Sequence, residues 1–385
     1  MNTHERDCLK ILIIQPWLSY RGAETVSVEL ARSLISMGHK VKLATVFVDE
    51  KRPPAGVADV HLVTPRKLWR QLCQASPILY LFLGPLVLLH LVWIASRDTQ
   101  ILNPHNPPTL VIAAIVARLR GIRVVWTCHS LPESRDWSDR VSMLDYFAWQ
   151  LAKSGIERWA VAAASCVIAN SVRIATELED IYGRSAQVLH PPLPEQPWRE
   201  NSSTATHPDN FRILVVGRLD ARKNQRGAIE ALTRVREVEP GVELVIAGDG
   251  PLTSMLREYA QFLKVDQAVK FLGYVPAARL KGLYRRSQVT LIPAYNEPWG
   301  LTPFEALSAG SVPIVSSEAG AAEVIQKEGI GIVCNPVPED MAEAILQALR
   351  NSERTKNIVE RGQLYLADKL TPERYSAACE EAFVT

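Results

Sequence analysis

Short apolar runs recur along the chain at intervals of helix length. In the first half they fall at Leu9–Ile14, Val41–Val46, Arg123–Thr127, Cys166–Ala169 and Gln187–Leu189. In the second half they fall at Ile213–Gly217, Glu243–Ala247, Val269–Leu272, Val289–Ile292, Val312–Val315 and Gly331–Val333. Inside each run the apolar residues are continuous rather than alternating, which predicts strands buried on both faces. Strands separated by helix-length segments predict βαβ units and parallel sheets. Between Pro191 and Asn210 the pattern lapses into a stretch rich in Pro, Ser and Thr, as a linker does. The expected fold class is therefore α/β, with two Rossmann-like, doubly wound domains. The first covers residues 1–192, a linker follows over 193–210, and the second covers 211–370. Residues 371–385 form a closing helix, with Thr371 at its N-cap and Pro372 in its first turn, which can pack back on the first domain. In such sheets ligands bind beyond the carboxyl ends of the strands, so two facing domains make a cleft there.

Charge adds an exclusion. Lys and Arg total 43 against 41 Asp and Glu, a balance that gives no general electrostatic reason to hold nucleic acid. The six cysteines form no Cys-x-x-Cys pair and have no histidine at metal-ligand spacing, so they read as free thiols in a reducing compartment. The N-terminal run Ile11–Ile14 is short and ends at Gln15-Pro16; it reads as a strand, not an export signal, and the expected location is the cytoplasm.

Candidate chemistry gathers in the second half, where four clusters follow predicted strands. The loop Gly217–Asn224 carries Arg218 and Lys223, two cations of the kind a diphosphate needs; alone it reads equally as a solvated basic turn. Ala247–Leu252 has two glycines and a proline that suit a phosphate-cradling turn, or merely a turn with Asp249 as a cap. Gly273–Pro276 offers extended backbone at Tyr274 and Val275 to bracket a nucleobase, or is only a strand end. In Asn296–Ala306, Thr302, Pro303 and Glu305 have the spacing of a capping box, which would occupy Glu305 structurally. A helix starting after Gly300 also aims N–H groups at an anion.

Those four clusters, in this order, resemble the retaining glycosyltransferases of the GT-B fold, and glycosyltransferase family four in particular. The resemblance rests on Glu297 and Glu305 eight positions apart in number, the Arg218/Lys223 pair, Ala247–Leu252 and the stretch Glu305–Pro313. It is densest over 212–336 and extends over nearly the whole chain. It implies a nucleotide diphosphate sugar as donor, UDP- or GDP-linked, and a glycan or lipid-linked acceptor in cell-surface polysaccharide or glycolipid synthesis. It implies that Arg218 and Lys223 hold the diphosphate, Glu305 the ribose hydroxyls and Glu297 the donor sugar. Backbone N–H groups of Gly300, Leu301 and Thr302 would lie near sugar and phosphate, with Tyr274 and Val275 at the base. In the first half, Tyr20–Glu24 resembles the family's glycine-rich loop, with Gly22 at the donor and Arg21 standing where a glycine is usual and able to reach an acidic acceptor. Ala319-Gly320 stands for a usual Gly-Gly pair. His129, at the carboxyl end of its strand, reads either as a packed residue or as a catalytic or acceptor group in the cleft. Asn170-Ser171 ends the next strand in the same way, with Ser171 as a cap.

The family mechanism implied is same-face attack, with the leaving phosphate deprotonating the acceptor and configuration retained; an inverted product would make His129 the base instead. The chain has no Asp-x-Asp, so no divalent metal or other cofactor is expected. The competing readings are a GT-B phosphorylase or sugar-nucleotide epimerase, an exported solute-binding protein, and an inactive nucleotide-binding partner subunit.

One segment departs from the pattern. Gln71–Ser96 has no charged residue, and a bilayer span takes roughly 20 apolar residues. A span would part strands of one sheet and is rejected. Either this is a buried helix broken at Gly84-Pro85, or residues 65–96 touch the inner membrane surface, anchored by Arg66, Lys67, Trp69 and Arg70. The second reading is preferred because it brings a lipid-linked acceptor to the enzyme.

Overall fold

A computed structural model describes residues 8–18, 22–49, 56–67, 77–131, 155–194 and 211–385, with backbone alone at 77–82. The chain divides into two compact units: Met1–Pro192 together with Pro372–Thr385, and Leu193–Thr371 between them.

The strands of the first unit are β1 (Lys10–Ile14), β2 (Trp17–Leu18), β3 (Lys40–Ala44), β4 (Phe47–Val48), β5 (Leu62–Val63), β6 (Ile101–Pro104), β7 (Arg123–Cys128), β8 (Cys166–Ala169) and β9 (Gln187–Val188). Those of the second are β10 (Arg212–Val216), β11 (Glu243–Ala247), β12 (Val269–Gly273), β13 (Val289–Ile292), β14 (Val312–Ser316) and β15 (Ile332–Cys334). The main sheets run β5-β3-β1-β6-β7-β8-β9 and β12-β11-β10-β13-β14-β15, and a small ribbon pairs β2 with β4. All these pairings are parallel.

Both main sheets start in the middle, build outward to one edge, then return and build to the other. The crossover helices consequently leave on opposite faces at one place, between β1 and β6 in the first sheet and between β10 and β13 in the second, which opens a crevice at the carboxyl ends of those strands. The strands themselves are buried: Leu12, Ile14 and Trp126 lie in the first core, and Leu214, Ile246, Leu291 and Ile314 in the second.

Three features differ from the expectation. The strand β6, with the sequence Ile-Leu-Asn-Pro, was not anticipated, and neither were the two-residue strands β2, β4 and β5. β6 is short and holds a polar Asn103 and a proline, but Asn103 is fully buried and supplies its own hydrogen bonds to β7. Next, the helix Pro77–Ala95 is continuous through Pro85 rather than broken there. Val87, Leu88, Leu91 and Val92 are buried in the first core and hold the turns beyond the proline. This helix is the crossover between β5 and β6 of one sheet, and among the described residues no helix is long and apolar enough to cross a membrane. The third, the start of the helix Thr302–Ser308, belongs to the site below.

The last helix, Pro372–Val384, is part of the first unit. Tyr375, Cys379 and Phe383 are buried. Ser33, on the helix Gly22–Ser36, donates to the Pro372 carbonyl at 3.3 Å, and His39 Nε2 lies 3.3 Å from Glu380. Where the chain enters and leaves the second unit, Leu193 N–H donates to the Leu370 carbonyl at 3.1 Å.

Candidate functional site

In the second unit the loops after β10, β13 and β14 are tied together at the crevice. The loop after β10 folds on itself first: the Asp220 carboxylate accepts from the Lys223 N–H at 3.3 Å, closing a turn of 3-10 helix over Ala221–Lys223. Asn224 then takes a left-handed conformation, φ 49°, which asparagine tolerates better than most residues. Its side chain donates to the carbonyls of Pro293 at 3.1 Å and Pro336 at 3.0 Å, latching the loop to the ends of β13 and β15. The Tyr295 N–H donates to the Arg222 carbonyl at 2.8 Å. From the next loop, the Gly320 N–H donates to the Glu297 carbonyl at 2.8 Å and the Ala321 N–H to that of Trp299 at 3.2 Å.

This weave brings two charges together. Lys223 Nζ, from the loop after β10, lies 2.5 Å from Glu297 Oε2, from the loop after β13. Both are largely sheltered, with 24% and 13% of their side chains exposed. Gly300, at φ 91°, sits so that a Cβ would meet the Glu297 Cγ at 3.3 Å, so the glycine leaves Glu297 its place. Arg218, on the same loop as Lys223, is turned more to solvent and lies 3.6 Å from Asp220. The structure thus unites Lys223 with Glu297 and leaves Arg218 beside a different carboxylate.

Glu305 stands in the first turn of the helix Thr302–Ser308, but not in a capping box. Leu301, in helical conformation, occupies the N-cap and no side chain caps the end. Gly300 turns the chain, and Trp299 stacks on Phe304 at 5.1 Å between ring centroids, so packing rather than a cap sets where the helix begins. The Glu305 carboxylate is therefore free to turn sideways, where it accepts from Tyr284 Oη at 2.7 Å. Burial pushes its pKa up to about 7, although the Tyr284 hydrogen bond pulls the other way. In this first turn the Phe304 and Glu305 N–H groups both donate to the Leu301 carbonyl at 3.0 Å, and Pro303 has no N–H to give.

Three glycines shape the neighbouring strand ends. Gly248, at φ 155°, lies so close to β10 that a Cβ would stand 1.8 Å from the Gly217 carbonyl oxygen, and its N–H donates to the Gly273 carbonyl at 2.8 Å. Only a residue without a side chain lets these loops meet. Beyond Gly273, Tyr274 is exposed and Val275 packs partly on the core.

In the first unit, Gly22 opens the helix that follows β2 and is exposed, with open space around it. Arg21 lies outside the described residues. His129, just past β7, is buried, and its Nε2 lies 2.8 Å from His105 Nδ1. His105 Nε2 in turn lies 2.8 Å from Asn103 Oδ1. The Asn170 amide donates to the His129 carbonyl at 2.7 Å, while Ser171 caps the next helix by accepting from the Ile174 N–H at 3.3 Å. Burial pushes His129 down to about 4, and burial followed by the neighbouring imidazole lowers His105 well below the ordinary range. Both rings are neutral at physiological pH.

Sequence reasoning missed His105, Asn103, Tyr284 and Asn224 as parts of these arrangements. The signal for the first two was Asn106-Pro107-Pro108-Thr109: Asn106 and Thr109 do form a capping box, and a helix so sharply started implies a strand just before it. Tyr284 carried no such signal.

Residues 198–365 match the family described as glycosyl transferases group 1, and residues 20–194 the one described as glycosyltransferase family 4. The chain is 28% identical to a glycogen synthase of Mycobacterium tuberculosis over 47% of its own length, a match spanning 44%, less than half, of that relative. It is 23% identical to the human alpha-1,3/1,6-mannosyltransferase ALG2, covering 97% of this chain and 95% of that one. The solved structure of Anabaena HepE in complex with UDP superposes with a TM-score of 0.73, at 18% identity, over 98% of this chain and 100% of that one.

Proposed function

As the chain belongs to the GT-B glycosyltransferases, matching them in each half, we propose that it transfers a sugar from a nucleotide diphosphate sugar, UDP- or GDP-linked, to a glycan or lipid-linked acceptor. The observation that carries this reading is the pair Lys223–Glu297 at the crevice between β10 and β13, with buried Glu305 close along the same segment. The three groups match the three parts of such a donor. The ammonium takes the diphosphate charge, joined by Arg218, whose long side chain is free to swing from Asp220. The N–H groups of Gly300, Leu301 and Thr302 add their dipoles. Glu297 accepts from sugar hydroxyls. The Glu305 oxygen not engaged by Tyr284 accepts from the ribose, and Tyr274 and Val275 border the base. Gly22, Arg21 and His129 of the first unit carry the roles toward sugar and acceptor that the family resemblance implies.

The reaction retains configuration and needs no divalent metal: cations and N–H dipoles stabilise the leaving diphosphate, whose oxygen takes the acceptor proton. The supporting argument is chemical. The site in the second unit presents an ammonium and backbone donors to the phosphates, and Glu297 and Glu305 are already engaged, by Lys223 and by Tyr284.

The lipid-linked acceptor is favoured by one surface. On the helix Pro77–Ala95, Leu86, Trp93 and Ile94 are exposed at helical spacing, and Arg120 of the adjoining helix Pro107–Arg120 stacks over Trp93 at 3.9 Å. Apolar side chains beside arginines suit the boundary of an anionic leaflet. On this reading the enzyme works at the inner face of the cytoplasmic membrane, in cell-surface polysaccharide or glycolipid synthesis.

Thermal unfolding in the presence of UDP, GDP and ADP, each with and without EDTA, tests the proposal. One nucleotide is expected to stabilise the protein by about 2.7 kcal/mol at a hundredfold excess over its Kd, with no effect of EDTA and no shift in Lys223→Ala. Absence of a shift with all three nucleotides refutes the donor-site reading.

A further inference from the structure

The described site leaves one buried polar chain unexplained: Asn103, His105 and His129, at the carboxyl ends of β6 and β7. Its hydrogen bonds have a direction that can be read off. Asn103 Nδ2 lies 2.7 Å from the Val125 carbonyl and 2.9 Å from Thr127 Oγ1. A carbonyl only accepts, so the amide nitrogen faces it and the amide oxygen faces the other way. That oxygen is 2.8 Å from His105 Nε2, which must therefore carry a proton. A neutral His105 protonated at Nε2 has a bare Nδ1. At 2.8 Å from that bare nitrogen stands His129 Nε2, which must in turn be the donor. His129 is then left with a bare Nδ1, and among the described residues no group is hydrogen-bonded to it. A doubly protonated His105 would reverse the second step, but His105 is 1% exposed, and an imidazolium there would have no carboxylate partner among the contacts described.

We propose that His105 is a positioning residue: held by Asn103, it fixes His129 as the tautomer protonated at Nε2, so that His129 Nδ1 presents a hydrogen-bond acceptor to a substrate hydroxyl. The substrate class is an alcohol, the sugar hydroxyl of donor or acceptor, and not an anion, which a bare nitrogen repels. A solitary imidazole in water exchanges between tautomers; here four buried hydrogen bonds remove that freedom and orient the ring as well. The catalytic consequence rests on the transferase reading; the tautomer does not.

The test is made on the full chain labelled with 15N-histidine, without nucleotide, at pH 7.5. His129 is assigned by comparison with His129→Gln. The expected spectrum shows a pyrrole-type Nε2 and a pyridine-type Nδ1 for His129, and the same for His105. His105→Leu is expected to shift His129 toward the other tautomer or a mixture, with the remaining histidine resonances unchanged. His105→Gln, whose amide oxygen can still accept, is expected to restore the native tautomer. In a transfer assay, His105→Leu is expected to lower kcat roughly tenfold or more, with donor KM unchanged, and His105→Gln to recover part of it. A proton on His129 Nδ1 in the native chain overturns the inference without recourse to any variant, as does a native tautomer persisting in His105→Leu. A chain that transfers no sugar but shows the expected spectra refutes the transferase reading and leaves the tautomer in place.

Discussion

At the scale of single residues, protonation and close approach make the sharpest demands. Glu305 has a folded pKa of about 7, above the unfolded carboxyl value, so folding takes up a proton in the window between them. Its contribution is fully present at acid pH and declines as pH rises toward 7, by on the order of 3 kcal/mol. Denaturation at pH 5 and pH 8 should show this decline in the native chain and a flatter profile in Glu305→Gln. Ribose hydroxyls donating to Glu305 favour its carboxylate, so nucleotide binding at pH 6 should release a proton. Calorimetry in buffers of different ionisation enthalpy reads that release directly, and an equal release from Glu305→Gln excludes Glu305 as its source. His129 has the opposite sign: its pKa of about 4 lies below the unfolded value, so its stabilisation is present above about 6.5 and fades as pH falls. Gly248 is steric rather than electrostatic. Gly248→Ala drives a methyl against the Gly217 carbonyl at a strained φ, and a loss of about 3 kcal/mol or more is expected by denaturant unfolding.

At the scale of elements, the strands with continuous apolar runs were legible in the sequence, because burial on both faces leaves that trace. β6 was not, because its inward polar residue is satisfied by neighbours that no local pattern reveals. With β6 went His105, and so the partner of His129. The loops after β10 and β13 were legible as candidate chemistry through residue type and order. The Lys223–Glu297 contact was not, since the two stand 74 positions apart in sequence and only the sheet order brings them together. The helix Thr302–Ser308 was mistaken at its start because a Thr-Pro-x-Glu spacing serves a capping box and a packed turn alike. The closing helix invites its own test. Phe383 is 1% exposed, so Phe383→Ala should cost the first unit about 3–5 kcal/mol. The stabilisation of the second unit by nucleotide should survive, since that residue belongs to the other unit.

At the scale of the whole molecule, the segment Leu193–Thr371 is contiguous and has its own sheet and core, so it should fold when expressed alone and keep its nucleotide response in thermal unfolding. Residues 1–192 alone should not fold stably, because they lack Pro372–Val384. Membrane contact belongs to this scale too. Reversing charge at Arg66, Lys67 and Arg70 together with Trp93→Ser should abolish co-sedimentation with anionic vesicles while leaving donor binding intact; undiminished sedimentation removes the interfacial reading.

The return of the last helix to the first unit also sets an order of events during synthesis. The first unit emerges first but cannot be finished until Pro372–Val384 has been made, after the whole of Leu193–Thr371. At ordinary elongation rates that is a wait of roughly 10–40 s. By the end of that interval the second unit is complete and able to fold, while the surface awaiting Tyr375, Cys379 and Phe383 still stands open to water and to chaperones. Nascent chains stalled short of residue 372 should therefore be protected from protease in their later half and cleaved in their earlier one, a reversal of the usual order in which domains mature.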